Sequence, residues 1–156
     1  MTDIYNRFDN EYLTDELLDG CERLKNNSNN NGNREYKEVS FGKHEVKVTK
    51  LELGESSTGK PMVKGWFKVI GQTDPDNGGI IFMNQLLDNS QKIHFFKEFL
   101  RSLDSGLEVD FISYKQFGEL INDIRKYIEN RKEYVLDYGK NAKGYSTYFI
   151  TQVFNA

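Results

Sequence analysis

Lys64, Trp66 and Lys68 occupy alternate positions of one apolar-rich run, Met62 to Ile70. In a strand, alternate residues share a face. Met62, Lys64, Trp66, Lys68 and Ile70 then lie on one side, and Val63, Gly65, Phe67 and Val69 on the other. The second set is the one to bury, so the only tryptophan of the chain is presented between two ammonium groups. An aromatic face for a base and cations for the flanking phosphates are what a platform for unpaired nucleotides requires, and one such stack is worth roughly 1 to 3 kcal/mol. The alternative is that Trp66 packs beneath the lysine stems or under a helix.

Other chemistry finds no constellation. His44 and His94 are the only histidines, and His94 stands beside Phe95 and Phe96 in a helical pattern, where a structural role is expected. Cys21 is the single cysteine, which excludes an internal disulfide and any metal site built on paired thiols. The segment Gly54-Glu-Ser-Ser-Thr-Gly-Lys60 superficially resembles a phosphate loop, but it lies between two strands and does not open a helix, so it reads as a turn. No catalytic residue, cofactor or metal ligand is nominated, and no enzymatic activity is expected.

The elements that would position Trp66 follow from periodicity. Glu45 to Leu53 reads as a strand in which Val46 and Val48 share a face before the apolar parity shifts to Leu51 and Leu53. A phase shift of one residue is what a β-bulge produces. Met62 to Ile70 is its hairpin partner across the turn Gly54 to Pro61. A loop at Gly71 to Gly79 leads to a third strand, Ile80 to Leu86. Ser90 to Leu103 presents Ile93, Phe96, Leu100 and Leu103 at helical spacing, and Ser113 to Arg131 presents Phe117, Leu120, Ile121, Ile124 and Ile128. Ser113 and Gln116 have capping-box spacing. Tyr134 to Tyr138 and Tyr145 to Phe154 form a last hairpin around Gly139 to Gly144.

The order β-β-β-α-α-β-β is that of a mainly β domain of the OB type, a five-stranded barrel with a doubled linking helix, although the same order builds an open α+β sheet. In an OB barrel, loops 1–2 and 4–5 contact oligonucleotides. Lys60 in the first and Lys140 and Lys143 in the second would then rim the groove, or stand as solvated loop lysines. Tyr145 and Tyr148 point to opposite faces, so at most one joins it. Phe82 is a weaker candidate that reads more readily as core.

Thr14 reads as the cap of a short helix, with Asp15 and Glu16 in its first turn, Leu13 stapled to Leu18, and Leu17, Cys21 and Leu24 on one face. Asn26 to Asn33 contains six asparagines and reads as a flexible linker. The expected organisation is an acidic N-terminal helical segment over 1–25, a linker over 26–34 and an OB-like domain over 35–156 with a helical insertion at 90–131.

A chain of 156 residues supports one core, and 11 Phe with 9 Tyr at a mean hydropathy of −0.69 point to a folded, soluble protein. No run approaches the roughly 18 apolar residues of a membrane span, and the N-terminus does not resemble a signal peptide, so a bacterial host cytoplasm is expected. The net charge of −3 is unevenly spread. Met1 to Leu24 holds seven acids against Arg7 and Arg23, a net −5 that leaves the remainder at +2. Lys43 to Lys68 carries six lysines against Glu45, Glu52 and Glu55, a local excess that suits phosphates.

The run from Val48 to Met62, continued by Trp66-Phe-Lys-Val-Ile70 and Ile81-Phe-Met-Asn-Gln85, resembles small bacteriophage proteins encoded beside recombination and replication genes, a family of unknown function that looks like OB-fold single-strand binders. The resemblance spans Gly42 to Leu103 and the closing hairpin, with Ser56, Gly59, Lys60, Pro61 and Met62 matching the family-like first hairpin. It implies an accessory of phage DNA replication or recombination. The chain departs from it in its acidic N-terminal segment, and it ends in Gln152-Val-Phe-Asn-Ala156 without the acidic tail of bacterial single-strand binders.

Two functions compete. One is sequence-tolerant binding of single-stranded DNA, with Trp66 and one tyrosine stacking bases and Lys60, Lys64, Lys68, Lys140 and Lys143 holding phosphates. The other is a protein-interaction module that binds or inhibits a host or phage replication protein. The acidic N-terminal helix would recruit a replication or recombination partner or compete with DNA for the basic groove, and strand edges leave homo-oligomers open.

Overall fold

Val46, Val48, Leu51 and Leu53 all reach one buried face in the computed structural model, which describes residues 2–12 and 39–156. They belong to β1 (Gly42–Glu55), whose pairing with β2 (Pro61–Val69) slips between Val48 and Lys50. The bulge expected from the parity shift is therefore present. It lets one long strand keep its apolar residues inside on both sides of the slip.

β2 alternates as expected. Val63, Gly65, Phe67 and Val69 are buried. Gly65 has a packing reason, because a Cβ there would stand 3.0 Å from the Met83 side chain and 3.6 Å from that of Leu51. β2 also pairs with β3 (Ile80–Leu86), which runs antiparallel to it. Two helices follow. α2 (Ser90–Ser102) starts at Asn89, whose side chain accepts the Lys92 amide at 2.9 Å. α3 (Tyr114–Ile128) starts at Ser113, whose hydroxyl accepts the Gln116 amide at 3.0 Å. The return bond of the box shifts by one residue, with Gln116 Oε1 accepting from the Ile112 amide at 2.8 Å. α3 stops three residues before the expected Arg131, since Glu129 is already extended and Asn130 takes a left-handed φ of 62°. β4 (Lys132–Lys140) and β5 (Ser146–Asn155) close the chain as a hairpin.

The sheet is antiparallel throughout, in the order β3-β2-β1-β4-β5. It is not closed. No ladder joins β3 to β5, so the expected five-stranded barrel is corrected to an open sheet. α2 lies against both edge strands instead. A side-chain bond spans the seam, from the Tyr148 hydroxyl to the Phe82 carbonyl at 3.0 Å. The core face carries Ile93, Phe96, Leu100 and Leu103 from α2 and the adjoining turn, and Phe117, Ile121, Ile124 and Ile128 from α3, all buried as their spacing required.

The N-terminal helix α1 (Thr2–Glu11) was not singled out by the sequence pattern, and it packs directly on the domain. Phe8 is fully buried, edge-on to Tyr114 at 5.7 Å. Tyr5 covers Gly118, where a Cβ would come within 2.7 Å of its ring, and its hydroxyl donates to the Leu53 carbonyl at 2.8 Å. Asp9 accepts the amides of Tyr114 at 2.5 Å and Lys115 at 3.4 Å, adding a carboxylate to the N-terminus of α3. The helix expected from Thr14 and the Asn-rich linker lie outside the described residues. Among those described, no helix is long and apolar enough to cross a membrane.

Candidate nucleic-acid interface

The outward face of the first three strands is a small grid fixed by register. Its central row is Lys50, Trp66 and Phe82, one residue from each of β1, β2 and β3. On one side stands the row Glu52, Lys64 and Asn84; on the other, Lys47, Lys68 and Ile80. The bulge decides this arrangement. By slipping the ladder one residue, it brings Lys50 opposite Trp66, and the Lys50 ammonium stands 4.6 Å from the indole centroid. That is a cation–π distance. The Phe82 ring meets the indole edge-on at 5.5 Å. Trp66 itself is intermediate in burial, neither core nor fully exposed.

The cations differ in how committed they are. Lys50 has Glu52 at 3.7 Å, while Lys47, Lys64 and Lys68 have no ion-pair partner among the described residues. Lys47 and Lys68 are directly opposed across β1 and β2, an arrangement of like charges that disfavours the strand pair unless an anion offsets it.

The expected rim is less uniform. Lys60 sits in the tight β1–β2 turn, where Ser56 Oγ accepts its amide at 3.0 Å and Gly59 has a φ of 85°. The segment is a hairpin turn, as read from its flanking strands. The Lys60 ammonium lies 3.5 Å from Asp88, which also holds the buried Lys92 at 2.9 Å. Burial alone would raise the Asp88 pKa. The hydrogen bond and charge of Lys92, with the charge of Lys60, outweigh it and hold the carboxyl below its ordinary value.

Lys140 is exposed and lies over the Phe41 ring at 5.6 Å. Lys143 and Tyr145 are exposed at the tip of the β4–β5 hairpin, where Asn141 Oδ1 accepts their amides at 2.9 and 3.0 Å. Tyr148 points the other way, packing on the core beside Ile150, with its ring stacked on Tyr138 at 5.7 Å. Burial pushes its pKa up to about 12, and its hydroxyl is engaged by Phe82. Of the two tyrosines, Tyr145 is therefore the one open to a ligand. The structure brings Lys64, Trp66 and Lys68 together. The link from the last hairpin to that row runs through Tyr148 and the Phe82 backbone.

Lys47 and Lys50 were missed by the sequence reading, and Phe82 was underweighted. Following the shifted parity of β1 across the first hairpin would have found Lys50. Phe82 follows from the same alternation in β3.

The two histidines separate. His94 is exposed on α2 beside Phe95, against the structural role expected for it. His44 is buried, with Nδ1 at 2.5 Å from Asp74 Oδ2 and Nε2 at 2.7 Å from the Ser40 carbonyl, while the Ser40 amide and hydroxyl donate to Asp76 Oδ2. Both ring nitrogens face oxygen acceptors, an arrangement that favours the doubly protonated ring. Burial would lower its pKa, but the bonds to Asp74 and Ser40 and the charges of Asp74 and Asp76 prevail and raise it. His44, Asp74 and Asp76 could each turn an atom to a cation within 4.8 Å. Through the bond from His44 to Asp74 the group ties the 71–79 loop to β1.

No protein-family model matches the chain, and a comparison with curated proteins finds no match.

Proposed function

We propose that this protein binds single-stranded DNA with little sequence preference, on the outer face of β1, β2 and β3, as an accessory of phage DNA replication or recombination. The observation that carries this reading is the partly exposed Trp66, aligned with Lys50 and Phe82 and flanked on its own strand by Lys64 and Lys68, neither ion-paired among the described residues. A base stacks on the aromatic row, and the lysines hold the phosphates on either side.

The fold is read as an OB barrel left open at one seam. In support, the sheet order leaves β3 and β5 as the two edges, two helices connect β3 to β4, and Tyr148 reaches from β5 to β3. The phage setting rests on the sequence resemblance, and with it the bacterial cytoplasm. Recruitment of a replication or recombination protein is assigned to the acidic N-terminal segment.

The second reading, a protein-interaction module, is favoured by the exposed aromatics of β5. Phe149 is 62% exposed and Phe154 40%. A titration with labelled oligo-thymidine at low and moderate salt, following Trp66 emission, tests the two. Salt-sensitive binding with quenching is expected, with a slope of about −0.7 per phosphate neutralised. No binding at low salt would discard the nucleic-acid reading in favour of the second.

A further inference from the structure

Beside the Trp66 row, the same face opens into a cleft of about 730 Å³. It is open to solvent and lined mostly by polar side chains, a shallow surface site and not an enclosed pocket. Lys68 of β2 and Ile70, just past its end, form one wall, Glu45 and Lys47 of β1 lie opposite, and Glu133 of β4 reaches in from the next strand. Lys68 belongs to both features. It is two residues from Trp66 on the same side, roughly 7 Å along the strand, a spacing that one stretched nucleotide step spans.

The carboxylates are what distinguish this cleft from a phosphate groove. Among the described residues, neither Glu45 nor Glu133 forms an ion pair, although both lysines line the same cleft. The Glu45 side chain is held against the loop, with Oε1 3.6 Å from where a Gly71 Cβ would stand and the backbone carbonyl accepting the Ile70 amide at 2.9 Å. Carboxylates repel phosphate, so in a strand laid along this face they must meet hydrogen-bond donors of the bases. Cytosine, adenine and guanine offer exocyclic amino groups; thymine and uracil have none and offer only the ring N3–H between two carbonyl oxygens.

We infer that this cleft is a base-reading subsite next to the Trp66 platform, with Ile70 as an apolar contact, Lys47 and Lys68 on the phosphate, and Glu45 and Glu133 accepting from the exocyclic amino group of cytosine, adenine or guanine. The inference rests on the single-strand reading and adds a preference to it. A protein that otherwise tolerates any sequence favours amino-bearing bases at this one position.

The test compares oligo-deoxycytidine with oligo-deoxyuridine, each of about twelve nucleotides, which removes the thymine methyl as a variable. At near-neutral pH and fixed salt, the wild type is expected to bind the cytidine strand about tenfold more tightly. The double variant Glu45→Gln, Glu133→Gln should bring the ratio close to one, because an amide can also donate to uracil O4. Both carboxylates lie in or beside solvent, so folding should survive and is checked by circular dichroism. Equal binding of the two strands by the wild type, or a ratio unchanged in the double variant, overturns the subsite while leaving single-strand binding standing. If neither strand binds at low salt, the single-strand reading itself fails and the subsite falls with it.

Discussion

The hydroxyl of Tyr148 donates to the backbone carbonyl of Phe82 at 3.0 Å, across the one place where the five-stranded sheet does not join itself. Phe82 presents its ring to Trp66 on the outer face while its backbone is held from the inner one. The position of the aromatic row thus depends on a residue that takes no part in it.

Removing that hydroxyl tests the dependence. Tyr148→Phe keeps the ring on Tyr138 and loses one hydrogen bond, a cost of about 1 kcal/mol. For a chain of this size the melting temperature should fall by about 2 to 4 °C, read by circular dichroism. A melting temperature equal to wild type would mean that the seam bond does not support the sheet.

The same tyrosine predicts an alkaline limit. Burial raises the pKa of Tyr148 from 10.0 to about 12, and that of Tyr114 and Tyr134 further still. A group whose folded pKa is raised contributes stability that is complete below the unfolded value and is lost as pH rises through the folded one. The contribution of Tyr148 should therefore be level up to about pH 10 and fall between pH 10 and 12. Denaturant melts over that range, compared with Tyr148→Phe, should show a shallower decline in the variant.

His44 sets a second pH dependence with two sides. Its raised pKa gives stability that is full below the ordinary histidine value and is lost as pH rises through the folded value. Asp74 behaves oppositely. Burial would raise it, but the Asp76 amide and His44 prevail and lower it, so its contribution is present above the ordinary aspartate value and is lost as pH falls through the folded one. Protection factors for amide exchange in the 71–79 loop, with the intrinsic pH dependence divided out, should be highest between these limits and fall at alkaline pH. In His44→Gln that alkaline fall in protection should vanish; its persistence would detach the loop from the histidine.

The outer face makes its own prediction under the single-strand proposal. Trp66→Ala should weaken oligonucleotide binding by about 1 to 3 kcal/mol with little change in stability. Lys64→Ala and Lys68→Ala should each reduce the salt slope by about 0.7. An unchanged slope in both would remove those lysines from the phosphate path.

α1 is tested through Phe8. Phe8→Ala empties a fully buried site and should cost about 3 to 5 kcal/mol in a denaturant melt. A loss below 1 kcal/mol would show that α1 docks only weakly. Deleting Met1 to Asn33 would remove this helix and confound any test of the acidic segment, so a cleaner variant replaces residues 13–38 and keeps α1.

The sequence alone determined whatever depends on near neighbours. The alternation of β2 assigned Trp66 and Val63 to opposite faces. The parity shift announced the bulge, Ser113 and Gln116 the start of α3, and Gly59 and Pro61 the first turn, because period, cap and turn geometry are set within a few residues. Tertiary structure decided what depends on residues far apart in the chain. Lys50 meets Trp66 only through the register of a hairpin. His44 found an acceptor at each ring nitrogen only because Asp74 and Ser40 enclose it. α1 became part of the core because Phe8 finds Tyr114 more than a hundred residues away. Whether β3 and β5 would pair was likewise not a local matter: α2 lies against both edges, and one tyrosine hydroxyl spans the seam where a ladder would have run.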